Sequence, residues 1–317
     1  MYWSGYARYT EGKETVMVHE GTFPMRKAWY AGSWYAAEPD LLRRTITGAV
    51  QQVAESNGGN SHRGTARLAV LPHAGLAYSS RGIAHLVVHA PKRIDRVVIL
   101  APSHTTAIPD DTLSFGLFSG FDTPLGSLRS FMTRLESKGP DVTIPLQREH
   151  AVEMVLPFLA YLQEQQQAPI SVAMALISRV TDVSHAARIA GELVGALGED
   201  ELESSHTMVI ASSDFTHYGQ RFGYAPFGVH VDEKVQQKVK QEDVLVATAL
   251  SRSELGPLFL TQRMKRMTIC GIAAASVLSA LAKRIDTSGW VADYYTSLDV
   301  LGEQATDFVA YGTILWR

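Results

Sequence analysis

The sequence predicts an α/β fold, a layered sheet with helices on both faces. Three observations carry this. Short runs rich in β-branched and aliphatic residues recur along the chain. Most are continuous rather than alternating, as in strands buried on both sides. Segments of helical periodicity separate them, which is the order of a layered α/β architecture.

Strands are predicted at Leu68–Leu71, Val97–Leu100, Ser171–Ile177, Met208–Ala211, Trp290–Thr296 and Phe308–Leu315, and a weaker one at Leu113–Ser119. The first helix, Pro39–Val53, carries Leu41, Leu42, Ile46, Val50 and Val53 on one stripe. Arg81–His89 follows Ser79-Ser80, which suits an N-cap. Leu128–Leu135 reads as a helix stopped by Gly139-Pro140. Ala151–Gln166 contains Pro157, so it must start late, kink or break. Val183–Leu197 ends at Gly198, a favourable C′ residue. Val231–Ala249 is long and polar on one side, and Gly271–Lys283 is rich in small apolar residues, as a buried helix would be. Gly58-Gly59-Asn60 and Gln163–Gln167 read as a loop and a helix end rather than linkers. Residues 1–24 lack periodicity and read as an extension, disordered or loosely docked, ahead of one domain from residue 25 to 317.

The chain has 317 residues, 46% apolar and 19% charged, within the range of ordinary globular proteins. Lys plus Arg number 29 and Asp plus Glu 32, a net charge of −3. That balance argues against a nucleic-acid or polybasic membrane binder. No apolar run approaches a membrane span, and the first residues are not a secretory signal. Cys270 is the only cysteine. An internal disulfide is therefore impossible, which fits a reducing compartment and a cytoplasmic protein. There is no phosphate loop, no G-x-S-x-G elbow and no G-x-G-x-x-G after a strand, so no nucleotide cofactor and no serine hydrolase are expected.

Polar residues fall at telling places. Three predicted strands run directly into Pro72-His73-Ala74-Gly75, Ala101-Pro102-Ser103-His104 and Ser212-Ser213-Asp214-Phe215-Thr216-His217. Ligands of open α/β sheets bind beyond the carboxyl ends of the strands. Thr268-Ile269-Cys270-Gly271 opens the small-residue helix, where the dipole favours a thiolate. Three histidines, an aspartate and the lone cysteine can thus converge at one rim. Two imidazoles with a thiolate or carboxylate make a mononuclear metal site, for iron, copper or zinc. Taken singly, each residue has a plainer reading. A histidine after a strand is usually a hydrogen-bonded packing residue, a lone cysteine a small hydrophobe, and Asp214 a turn residue. Their joint placement favours the metal. Glu149-His150-Ala151-Val152-Glu153 opens a helix, with His150 and Glu153 as capping residues or as supports behind the ligands. His19, His62, His206 and His230 read as solvated, and His85, His89 and His185 as structural.

At these residues the chain resembles the Memo family, named for a mediator role in receptor-driven cell motility. The matching stretches are Ala31-Gly32-Ser33-Trp34-Tyr35, Pro72-His73-Ala74-Gly75, Ala101-Pro102-Ser103-His104, Glu149-His150-x-x-Glu153 with Leu156-Pro157-Phe158, Ser212-Ser213-Asp214-Phe215-x-His217-x-Gly219-Gln220-Arg221-Phe222 and Thr268-Ile269-Cys270-Gly271. The resemblance implies a fold similar to class III extradiol dioxygenases, with a metal pocket at the sheet rim. It implies His73, His104 and Cys270 as ligands of iron or copper, ahead of zinc, and Asp214 and His217 as acid/base groups. Ser103, His150 and Glu153 would support the ligands, and Trp34, Tyr78 and Arg221 would line the pocket. Cys270 stands where the related dioxygenases use a carboxylate. Leu76, Arg148 and Tyr218 depart from residues common in the family. Two functions follow from the resemblance. One is metal-dependent redox or oxygenase-like chemistry on a small molecule. The other is a non-catalytic adaptor that takes phosphotyrosine peptides in the same pocket and serves cell-motility signalling.

Overall fold

The structure is a computed structural model. It describes residues 6–11, 14–19, 23–56, 64–131, 140–198, 202, 206–260, 267–302 and 305–317. An eleven-stranded mixed sheet forms its centre. Five neighbouring strands are parallel: β4 (Leu68–Leu71), β10 (Thr207–Ser212), β5 (Arg96–Ala101), β9 (Ser171–Ile177) and β8 (Leu128–Ser130). Beyond β4 lie the antiparallel β13 (Phe308–Trp316), its partner β12 (Gly289–Thr296) and the short β11 (His217–Tyr218). Beyond β8 lie β7 (Gly120–Phe121) and β3 (Met25–Arg26), and β6 (Leu113–Phe115) also pairs with β9.

The continuous apolar runs have the expected cause. In β4, β5 and β10, residues alternate between two cores. Ala69, Leu71, Val97, Ile99, Met208 and Ile210 pack under α1 (Pro39–Ser56), α2 (Leu76–Val88) and α5 (Leu156–Gln166). Leu68, Val70, Val98, Leu100, Val209 and Ala211 pack under α6 (Val183–Leu197), α7 (Glu233–Ser251) and α9 (Ile272–Arg284). Both faces of each strand are dry, so alternation disappears from the sequence.

This arrangement positions the site. β10 lies between β4 and β5, and Ser212 is level with Leu71 while Ala211 is level with Leu100. All three strands therefore leave the sheet at the same edge. The helix between β4 and β5 packs on one face and the helix before β10 on the other. In open α/β sheets such a switch of faces marks the carboxyl edge as the place where ligands bind.

Several local expectations need correction. Leu128–Ser130 is the strand β8, not the start of a helix. It hydrogen-bonds along β9, and that pairing overrides helical periodicity. Residues 132–139, and Gly58-Gly59-Asn60, lie outside the described residues. α2 starts at Leu76, with Gly75 as its N-cap and no side-chain cap. Ser79 is inside the helix and donates its hydroxyl to the Ala74 carbonyl. The segment at Pro157 breaks cleanly into α4 (His150–Glu153) and α5, with Pro157 in the first turn of α5. The sequence reading also missed α3 (Thr143–Gln147), α8 (Leu255–Leu260) and α10 (Ser297–Leu301). In the extension expected to lack regular structure, β1 (Tyr6–Glu11) pairs with β2 (Glu14–His19) as a hairpin apart from the main sheet. Among the described residues no helix is long and apolar enough to cross a membrane.

Candidate metal centre

Three imidazoles meet at the rim. His73, His104 and His150 each offer one nitrogen, and these atoms all lie within 4.8 Å of one another. The ring centroids of His104 and His150 are 4.4 Å apart, and each lies 5.3 Å from His73. The sequence reading grouped Cys270 with His73 and His104 and set His150 behind them. In the structure His150 completes the close group, because the turn of α4 carries it over the end of β5. Cys270 touches the group at one point, with Sγ 3.2 Å from His73 Nε2.

The hydrogen bonds set the tautomers. The Ser212 hydroxyl donates to the Ala151 carbonyl at 2.6 Å. Its oxygen, 2.8 Å from His73 Nδ1, can then only accept, so Nδ1 carries the proton and Nε2 the lone pair. His104 Nδ1 donates to Glu149 Oε1 at 2.9 Å, and the His104 amide donates to Glu149 Oε2 at 2.7 Å. Glu149 Oε1 also accepts from the Ala151 amide and lies 3.3 Å from His150 Nδ1. Histidine ligands commonly present Nε2 to a metal while a carboxylate holds the other nitrogen.

Burial pushes His73 down to about 3, aided by neighbouring His104. Burial likewise takes His150 to about 4. Both rings are neutral at pH 7, the form that binds metals. For Glu149 burial acts in the opposite sense, but the bonds from His104 and Ala151 outweigh it and hold the carboxyl below its ordinary range.

The other side of the centre is built from β10 and α9. Asp214 Oδ1 accepts the His73 amide at 2.8 Å, and Oδ2 lies 4.0 Å from His73 Nε2. Burial raises both Asp214 and Cys270, the latter helped by the charge of Asp214. Without a metal, desolvation outweighs the helix dipole and holds Cys270 toward its thiol form. Gly271 lets α9 start against the end of β10, because a Cβ there would collide with the Ser212 carbonyl oxygen. His217 Nδ1 lies 3.1 Å from the Phe215 carbonyl and 3.0 Å from that of Thr268. Two acceptors require Nδ1 to be the donor, which leaves Nε2 as the basic atom.

The remaining predicted residues separate into near and far. Trp34, 37% exposed, lies 4.8 Å from His150 between ring centroids and forms a wall of the site with Tyr30. Tyr78 is half-buried, and its carbonyl accepts the Tyr295 hydroxyl. Arg221 is exposed, with its guanidinium over Phe222; the Phe222 ring meets His217 edge-on at 5.1 Å. Ser103 closes its own turn by donating to the Thr106 carbonyl.

Glu153 is a clamp. It pairs with Arg26 at 2.7 Å, both fully buried, and accepts from the Tyr35 hydroxyl and from the amides of Trp29 and Tyr30. Arg26 also donates to the carbonyls of Leu146 and Glu149. The clamp thus fixes the loop that carries Trp34 to the turn that carries Glu149 and His150. Sequence reasoning missed Arg26, Ser212, Thr268 and the role of Glu149. Only Glu149 carried a signal, as the acid directly before a histidine at a helix start.

The Memo-like protein family matches residues 26–315. A MEMO1 family protein of Methanopyrus kandleri is 30% identical over 306 residues, covering 90% of this chain and 97% of its own length. One from Pyrococcus furiosus is 28% identical over 310 residues, covering 92% and 99%. The human Protein MEMO1 is 27% identical over 277 residues, covering 83% and 86%. The family match spans the sheet, the rim and both halves of the centre, and the chain belongs to the Memo-like protein family.

Proposed function

We propose that this chain is a mononuclear metalloprotein with redox chemistry, using iron or copper at the sheet rim. The observation that carries the reading is the group of three imidazoles whose donor nitrogens lie within 4.8 Å. His73 and His104 have Nδ1 engaged and Nε2 left as the lone pair. Such a donor set suits iron, copper or zinc, and the resemblance to the Memo family puts iron or copper ahead of zinc. Bound there, either metal supplies one-electron chemistry and open positions for a small molecule.

The chain's own residues supply the rest. Glu149 orients His104 and balances the charge of the site. His217 is the proton acceptor, through Nε2. Asp214, kept protonated to higher pH by burial, is a nearby proton donor. Trp34 and Tyr30, edge-on to one another, place aromatic surface beside His150.

The test is metal analysis of anaerobically purified protein beside His104→Ala. About one iron or copper per chain, lost in the variant, is expected. Equal metal in both proteins, or none after anaerobic loading with Fe(II) and Cu(I), overturns the reading.

A second reading, a phosphotyrosine adaptor, is favoured by one feature: the exposed Arg221 guanidinium stands one ring from His217. Calorimetry with a phosphotyrosine peptide separates the two. Equal affinity of wild type and Arg221→Ala removes Arg221 from any such site.

A further inference from the structure

Asp243 lies outside the centre, in the middle of α7, and is fully buried. Its Oδ1 accepts the Thr216 hydroxyl at 2.6 Å and its Oδ2 accepts the Tyr294 hydroxyl at 2.9 Å. No lysine, arginine or histidine among the described residues is paired with it. A carboxylate without a counter-ion is costly to bury, and the packing of α7 offers no reason for one. Val239, Val246, Ala247 and Leu250 already seat the helix.

What the carboxylate holds is the segment between Asp214 and His217. Thr216 is itself buried. Its backbone joins β13: the Phe215 amide donates to the Ala310 carbonyl, and the Ala310 amide donates to the Thr216 carbonyl. Its side chain points to α7. The next residue, His217, donates its amide to Thr268 Oγ1, and its ring donates to the Phe215 and Thr268 carbonyls. The ring's orientation therefore depends on the backbone around Thr216.

We propose that Asp243 is a positioning residue for the metal centre: by gripping the Thr216 hydroxyl it fixes the backbone between Asp214 and His217, and so holds the His217 ring with Nδ1 bonded and Nε2 as the basic atom. The inference rests on the metalloprotein reading for its purpose but not for its geometry. Burial lifts Asp243 to about 7, against its bonds from Thr216 and Tyr294. The groups facing it are Thr216 after β10 and Tyr294 on β12; Asp299 of α10 acts on Tyr294. A deprotonated carboxyl accepts from both hydroxyls at once. A protonated one must donate one of its own bonds and cannot keep both. The grip is therefore complete above about pH 7.

The experiment is nitrogen-15 NMR of the histidine rings in the metal-free full-length chain at pH 8. The probes are Thr216→Val, Asp243→Ala and Tyr294→Phe. Wild type shows His217 as a single Nδ1–H tautomer. In Thr216→Val and Asp243→Ala the tautomers mix, and ring N–H exchange with solvent rises roughly tenfold, the size expected for one lost buried hydrogen bond. Tyr294→Phe removes the other bond to Asp243 but leaves the Thr216 grip, so its His217 signals stay as in wild type. Thr216→Ser, which restores the hydroxyl, restores the single tautomer. An unchanged His217 in folded Thr216→Val overturns the proposal, as does an equal disturbance in Tyr294→Phe. Because no metal is present, these outcomes are separate from any failure of the metalloprotein reading.

Discussion

The two halves of the centre are held by different physics. The imidazole half stands on charge. Glu149 carries His104, and the buried Arg26–Glu153 pair pins the turn of Glu149 and His150 to the loop of Trp34. The carboxylate–thiol half stands on desolvation and on hydrogen bonds from uncharged hydroxyl and amide donors. Asp214 and Asp243 are buried and Cys270 is half-buried, and all three are pushed toward their protonated forms. The contrast shows how one rim can hold neutral imidazoles ready as ligands and keep proton-bearing groups beside them. It also predicts that the halves fail differently.

The largest effect should come from the charged clamp. Arg26→Met leaves Glu153 buried without its cation, and removing one partner of such a pair costs about 3–5 kcal/mol. Chemical denaturation checks this. A loss below about 1 kcal/mol would mean that the clamp is not structural.

The pH dependence of stability should divide along the same line in metal-free protein. His73 and His150 are held down to about 3 and about 4, from an ordinary 6.5. Between those values and 6.5 the unfolded chain takes up protons that the native chain refuses, so these rings lower stability as pH falls. Asp243 works in the opposite sense. Its ordinary value is 3.8 and its native value about 7, so stability is lost as pH rises through that window. His150→Gln should flatten the acid side by about 1–3 kcal/mol and Asp243→Asn the neutral side by a similar amount. Urea melts from pH 4 to 8 read both. Identical profiles for wild type and Asp243→Asn would remove the buried-acid account.

A smaller effect follows for the carboxylate behind the ligands. Glu149→Gln keeps the shape but loses the charge that orients His104. Metal affinity should fall about 10–100-fold with little change in fold. Titration with Zn(II) as a redox-silent probe measures it, and an unchanged affinity would show that His104 needs no anion.

Much of this was readable in the chain itself, and the reasons differ by residue. His73, His104 and Asp214 follow apolar runs that could only be buried strands, so their place at one edge follows once the strands are parallel. Cys270 was readable because Thr268-Ile269-Cys270-Gly271 opens a small-residue helix, which puts the lone cysteine at a helix N-terminus. The identity of the supporting carboxylate was not. Glu149 and Glu153 flank a single turn and both are buried, and only the fold shows that Glu149 faces His104 while Glu153 faces Arg26. Arg26 lies more than 120 residues from Glu153 and in no motif, so its clamp appears only in three dimensions. Leu128–Ser130 shows the same limit: three residues of helical pattern became a strand because β9 offered an edge.

We propose that His150 joins His73 and His104 as the core of the metal group, with Cys270 at its edge. The direct measurement is anaerobic titration of Fe(II) and Cu(I) into wild type, His150→Ala and Cys270→Ser. The account predicts that His150→Ala loses affinity by about 100-fold or more, while Cys270→Ser loses about tenfold and still binds one ion per chain. Wild-type affinity in His150→Ala, with binding abolished in Cys270→Ser, would contradict it and return the third position to the cysteine.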